Sequence, residues 1–189
     1  MRRCNWPSDD ALMIKYHDEE WGVPVHDDRL LFEHMILDAF QAGLSWRTVL
    51  YKRENFRKAF DNFDPGKIAK YGKTKYQNLL DDAGIIRNRA KINAAIINAE
   101  KFLEVQKEFG SFDRYIWQFV GEKSIINKFK KLTEIPAKTK ESDEMSKDLA
   151  KRGFKFAGST ICYAFMQAAG LVNDHLTTCF RYKELISKF

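Results

Sequence analysis

KRGFKFAGSTICYAFMQAAG, Lys151 to Gly170, is the stretch whose reading decides the fold. Gly153 and Gly158 bracket a short loop, and Ser159-Thr160 opens an apolar helical run that Gly170 stops. Glycines let the backbone curl tightly between two helices, and the first amides of the second helix then point outward at the positive end of its dipole. This is a helix-hairpin-helix pattern over about residues 143–170, and a DNA phosphate fits such a spot. Lys151, Arg152 and Lys155 add charge that positions a polyanion without reading bases. Taken alone, the segment reads more readily as an ordinary turn between packed helices.

Outward from the hairpin, apolar spacings of three and four recur between Ser, Asp or Thr starts and Gly stops, and no long alternating run suggests a sheet, so the chain is expected to be all-α. Ser8 is expected to cap a helix through Tyr16. Asp27 or Asp28 is expected to cap the run Arg29 to Ala42, which is apolar nearly all round and ends at Gly43. Ser45 opens a segment to about Phe60, Asp64-Pro65 a short one, and Thr74 one that ends at Gly84. The longest helix runs from about Asn88 to Glu108, with Ile92, Ile96, Ala99 and Leu103 on the core stripe and Lys91 away from it. The basic stretch Gly121 to Lys140 reads as a crossover between two helical lobes, and Ser142 begins the hairpin's first helix. The whole chain, 1–189, is expected to form a single domain.

Apolar residues make up 44% of the chain, ample for a core, and aromatics make up 14%, more than a minimal core needs. Lys and Arg exceed Asp and Glu by 32 to 26, a balance that suits a nucleic-acid partner or a charge-decorated surface. No apolar run approaches the roughly 18–20 residues of a membrane span, and the start lacks a signal peptide's apolar region, so a cytoplasmic, membrane-free protein is expected, and the single-core pattern with a DNA role makes a monomer the default.

Three cysteines, Cys4, Cys162 and Cys179, are too few and too scattered for a disulfide framework. Cys4 and His17 near one end, with His175 and Cys179 at i and i+4 on a presumed helix near the other, make a Cys2His2 set that zinc could share. Four protein ligands leave no open position, so such a site would be structural. Satisfied core residues are the competing reading. His26 reads as a loop residue, His34 as a helix packing residue and Cys162 as a small buried hydrophobe.

After the hairpin, Leu171-Val172-Asn173-Asp174-His175 resembles the segment that follows the hairpin in helix-hairpin-helix DNA glycosylases, with Asn173 where many members carry an aspartate. Three further stretches, CNWPSDD...IKYHDEEWGVP, LDAFQAGLSWRTVLYKRENFRKAF and RGFKFAGSTICYAFMQAAGLVNDH, are collinear from about Arg3 to Cys179 and closely resemble the DNA-3-methyladenine glycosylase I family. That resemblance implies zinc on Cys4, His17, His175 and Cys179, joining the segments 4–17 and 175–179. It implies a base pocket formed or supported by Trp6, Tyr16, Trp21 and Trp46, with position 38 as its acidic contact. It implies that Gly153, Lys155, Gly158, Ser159 and Thr160 grip DNA and that Leu44 wedges into the gap left by a flipped nucleotide, although Leu44 reads nearly as well as a helix-capping hydrophobe.

Two positions depart from the family's pattern. Asp38 stands where glutamate is common, which shortens the reach of the carboxylate by roughly 1 Å. Met13 stands at the pocket's edge where a tyrosine is common. The implied activity is hydrolysis of the N-glycosidic bond of 3-methyladenine in double-stranded DNA, with Asp38 ionised unless strongly desolvated, and without strand cleavage. A non-catalytic sensor of alkylated DNA, or a metal-dependent hydrolase with an open coordination site, are the competing readings.

Overall fold

Leu31 to Phe40 are all buried, and this run forms the middle of helix α2 (Asp28–Gln41) at the centre of the molecule. A helix apolar on every side cannot lie at a surface, and each fully buried large side chain in it contributes roughly 1.5–3 kcal/mol. The computed structural model describes residues 2–188. Ahead of α2 lies α1 (Ala11–Glu19), and after it come α3 (Trp46–Leu50), α4 (Arg53–Ala59), α5 (Pro65–Ile68) and α6 (Lys73–Asp81). The long α7 (Arg89–Phe109) follows, then α8 (Phe112–Trp117), the hairpin pair α9 (Lys140–Lys151) and α10 (Ser159–Ala168), and α11 (Phe180–Lys188). The only strands among the described residues are β1 (Ile125–Ile126) and β2 (Val172–Asn173), paired in parallel with Ile125 opposite Val172. The fold is all-α.

Helix α2 packs against α7 on one side and α10 on another, so the hairpin rests directly on the central helix. Phe32 stacks its edge on Phe102 of α7, with ring centroids 4.9 Å apart, and Phe102 lies flat on Phe112 at 4.2 Å. Asp27, Ser45, Asp64 and Asn88 cap their helices through side-chain oxygens, as their sequence positions predict.

Elsewhere local competition moved the boundaries. Asp10, not Ser8, caps α1, because its Oδ1 takes the amides of both Leu12 and Met13 at 3.0 Å. Helix α6 starts at Lys73 behind Gly72, and α9 starts at Lys140 because Thr139 and Ser142 satisfy one another's amides. The segment after Ser45 breaks between α3 and α4, and the break turns Arg53 inward onto Glu33 of α2 and onto Glu20.

Lys91 departs most from the helical-wheel expectation. It is buried, and its Nζ donates to the carbonyls of Phe40 at 2.8 Å and Ala42 at 2.6 Å. A cation at the C-terminus of α2 satisfies orphan carbonyls and matches the dipole, and it fixes the turn that leads to Trp46. Gly170 is required where it stands: it adopts φ +71°, and a Cβ there would lie 2.3 Å from the backbone carbon of Val23.

Candidate active site

Five parts of the chain meet around a cavity of about 250 Å³. The N-terminal arm and α1 bring Trp6, Tyr16 and Trp21, α2 brings Asp38 and Gln41, the start of α3 brings Trp46, and α10 brings Gln167. Ile135 of the crossover and two alanines of α10 complete the lining. Tyr16 and Trp46 lie 5.1 Å apart between ring centroids, and Trp6 meets Trp21 edge-on at 5.1 Å. Met13 is not brought to the cavity. One turn before Tyr16 on α1, it packs instead in a small apolar cluster with Tyr16, Leu50 and Cys179.

Native interiors pair nearly all their buried polar atoms. Among the described residues six such side-chain atoms lack a partner, and three of them, Trp6 Nε1, Asp38 Oδ2 and Trp46 Nε1, belong to this lining. Burial pushes the Asp38 carboxyl well above the ordinary carboxylate range, against a smaller pull from the Arg53 guanidinium. This is the strong desolvation on which the expectation of an ionised Asp38 is conditional. Tyr16 is likewise raised well above its ordinary value, first by burial and then by the charge of Asp38.

Behind Trp6 and Trp21 sit Cys4, His17, His175 and Cys179, all buried, with one donor atom from each lying within 4.8 Å of the others. Cys179 Sγ is 3.6 Å from both His17 Nε2 and His175 Nδ1, and Cys4 Sγ is 3.8 Å from His175 Nδ1. The outer imidazole nitrogens are held in turn: His17 Nδ1 lies 2.7 Å from Asp18, and His175 Nε2 lies 2.8 Å from the Trp21 carbonyl. Arg3 clamps Asp18 from the far side. The i,i+4 pair does not stand on a helix. Residues 174–179 form a turn ahead of α11, because Asn173 Oδ1 takes the His175 amide and Leu176 takes that of Cys179. This set could hold a metal ion. Asn173 is buried in β2 with its amide oxygen committed to that turn, and it takes no part in lining the cavity.

The hairpin loop lies at the surface. Gly153 takes φ +95°, Gly158 stays at φ −66° as the N-cap of α10, and no side chain caps the first amides of that helix. Gly158 therefore serves by bareness rather than by conformation, since a Cβ there would meet nothing within 4 Å. Ser159 Oγ pairs with Ser142 Oγ at 2.9 Å, while Lys155 and Thr160 are exposed. Asn98 of α7 grips the loop from beneath, donating to the Lys155 carbonyl at 2.9 Å and accepting its amide at 2.7 Å. Leu44, between the lining residues Gln41 and Trp46, is 42% exposed.

A sequence profile described as methyladenine glycosylase matches residues 6–182. The chain belongs to this family. It is 51% identical to DNA-3-methyladenine glycosylase 1 of Escherichia coli strain K12 over 96% of this chain and 97% of that protein. It is 48% identical to DNA-3-methyladenine glycosylase of Haemophilus influenzae, over 94% and 96% of the two chains. Among solved structures, a crystal structure of 3-methyladenine DNA glycosylase I matches with a TM-score of 0.92 at 52% identity, covering 95% of this chain and 98% of that one. The Staphylococcus aureus enzyme, whose structure concerns 3-methyladenine recognition, matches with a TM-score of 0.92 at 32% identity over 95% and 96%.

Within the family frame, Trp6, Tyr16, Trp21, Asp38 and Trp46 share one cavity, and the four Cys and His side chains share one cluster beside it. Gln41, Gln167 and Asn98 were not singled out from sequence. Gln41 stands one turn beyond Asp38 on α2, a spacing that could have found it. Gln167 and Asn98 gave no signal, since each depends on which distant element packs against it.

Proposed function

We propose that this chain is a monofunctional DNA-3-methyladenine glycosylase, a single monomeric domain in which Asp38 and the aromatic cavity select the flipped base. The observation that carries the reading is the set of three unpartnered polar atoms, two indole N–H groups and one carboxyl oxygen, on the residues that line a cavity of about 250 Å³. A duplex base is unreachable, so the nucleotide is extruded into the cavity, at a cost that is smaller for damaged pairs. The exposed amides of α10, with Lys155, hold a phosphate, and Leu44 fills the vacated stack.

Methylation at N3 gives adenine a positive charge, which favours the π faces of Trp46 and Tyr16 by roughly 0.5–2 kcal/mol per contact. The same charge favours the ionised form of Asp38, whose proton passes to solvent, and the carboxylate accepts from the exocyclic amine in a charge-assisted hydrogen bond. Water attacks the anomeric carbon and gives up a proton to the surrounding solvent, while the bond from that carbon to N9 breaks and its electron pair neutralises the ring. Neutral 3-methyladenine leaves without needing a general acid. The commitment of Asn173 to a turn supports this economy, because no second carboxylate is needed. No amine nucleophile is invoked, so strand cleavage is not expected.

The Cys and His cluster fits zinc. Tetrahedral zinc with sulfur at about 2.3 Å and nitrogen at about 2.0–2.1 Å sets unlike donors about 3.5 Å apart, and three of the four sulfur-to-nitrogen pairs are 3.6, 3.6 and 3.8 Å apart. With zinc bound, Cys4, His17, His175 and Cys179 would clasp the two ends of the chain in a closed structural site, backed by Asp18 and the Trp21 carbonyl.

The test is release of free 3-methyladenine from methylated duplex DNA by the parent and by Asp38→Asn. The variant is expected to lose about 10²-fold or more in excision rate while DNA affinity changes less than threefold. Binding without release by the parent would establish a sensor instead, and a borohydride-trapped covalent adduct would overturn the monofunctional mechanism.

A further inference from the structure

Gln167 lines the cavity from α10, and its polar end is fixed from behind. Its Nε2 donates to Asp174 Oδ2 at 2.8 Å. The same carboxylate accepts from Tyr163 Oη at 2.6 Å and from Asn127 Nδ2 at 2.7 Å, and it is 1% exposed. Turning the Gln167 amide around would set its oxygen against that carboxylate and leave a buried acceptor facing an acceptor. The amide therefore stands one way round, with its NH2 toward Asp174. Its Oε1 is neither bonded to the described residues nor among their sealed polar atoms, so it is an accessible acceptor on a side chain that lines the cavity.

Asp38 is the second oxygen at this cavity. A carboxyl can accept from an amine when ionised and donate to a carbonyl when protonated, so by itself it tolerates either group. A locked amide oxygen has no such freedom. An exocyclic amine at C6 of a purine offers two N–H bonds, one for each oxygen, whereas a carbonyl at C6 offers only lone pairs. Resting on the glycosylase reading, we propose that Gln167, held by Asp174, sets the preference of this pocket for 3-methyladenine over 3-methylguanine. Sites built to hydrogen-bond a substrate N–H discriminate strongly because the wrong substrate leaves a buried group unpaired.

Methylated duplex DNA carries both bases, and one reaction can be assayed for both. The parent is expected to release 3-methyladenine faster than 3-methylguanine at equal abundance. Gln167→Met removes the fixed oxygen at similar volume and should lower that rate ratio about tenfold or more. Asp174→Asn, which frees the amide to turn, should lower it as well. Both bases come from one sample, so a loss of folded enzyme cancels in the ratio. A ratio in Gln167→Met within twofold of the parent's, or no preference in the parent, would overturn the proposal. An unchanged ratio in Asp174→Asn alone would overturn the lock. A parent that releases neither base would instead overturn the glycosylase reading, a result distinct from an unchanged ratio.

Discussion

Asp38 and His34 lie one helical turn apart on α2, both buried, and they tie stability to pH in opposite directions. Burial raises the Asp38 carboxyl well above 3.8, so its contribution to stability is whole below that value and declines as pH rises through the folded value. His34 is pushed down to about 4, chiefly by burial, so its contribution is whole above 6.5 and declines as pH falls toward 4. Asp38→Asn keeps the shape and removes the titration. Its thermal midpoint should match the parent's near pH 4 and exceed it increasingly toward pH 7, by roughly 2–4 °C for each kcal/mol relieved. An offset independent of pH in paired melting curves would mean that Asp38 is ionised in the folded state.

Among elements, the hairpin depends on a helix outside it. Helices α9 and α10 pack on one another, but the loop joining them is set by two hydrogen bonds from the buried Asn98 of α7 to the backbone of Lys155. Asn98→Ala should destabilise the fold by about 2 kcal/mol and weaken DNA binding, because both loop groups lose their partner. Its slope of log affinity against log salt should stay at the parent's value, since no phosphate contact is deleted. Lys155→Ala should instead lower that slope by about one. Identical slopes for the two variants in a salt titration would contradict this division between setting the loop and meeting the phosphate. The C-terminus of α2 is organised in the same way, with Lys91 reaching from α7 to hold the carbonyls before Leu44 and Trp46.

For the molecule as a whole, the two chain ends meet at the back of the pocket. The His17 and His175 rings pack on Trp6 and Trp21 with centroids 5.4 and 4.7 Å apart, and the Trp21 carbonyl meets His175 Nε2. If zinc occupies the cluster as proposed, its removal by a chelator should lower the melting temperature by roughly 10 °C or more and shift tryptophan emission to the red, both reversed by added zinc. An unchanged emission spectrum and melting temperature after verified metal loss would show that the aromatic wall stands without the clasp.

The helical class, the caps at Asp27, Ser45, Asp64 and Asn88, and the hairpin were legible in the residues, because capping, glycine stops and apolar period act within one or two turns of the chain. The family motif also named the aromatic residues and the acid at position 38. What the residues could not carry was set by contacts between distant segments. Only the packed molecule turned Lys91 inward, drew Met13 away from the cavity, bent His175 to Cys179 into a turn rather than a helix, and desolvated Asp38. Periodicity reports which face of a helix is apolar, but burial and hydrogen-bond partners depend on what the rest of the fold lays against that face.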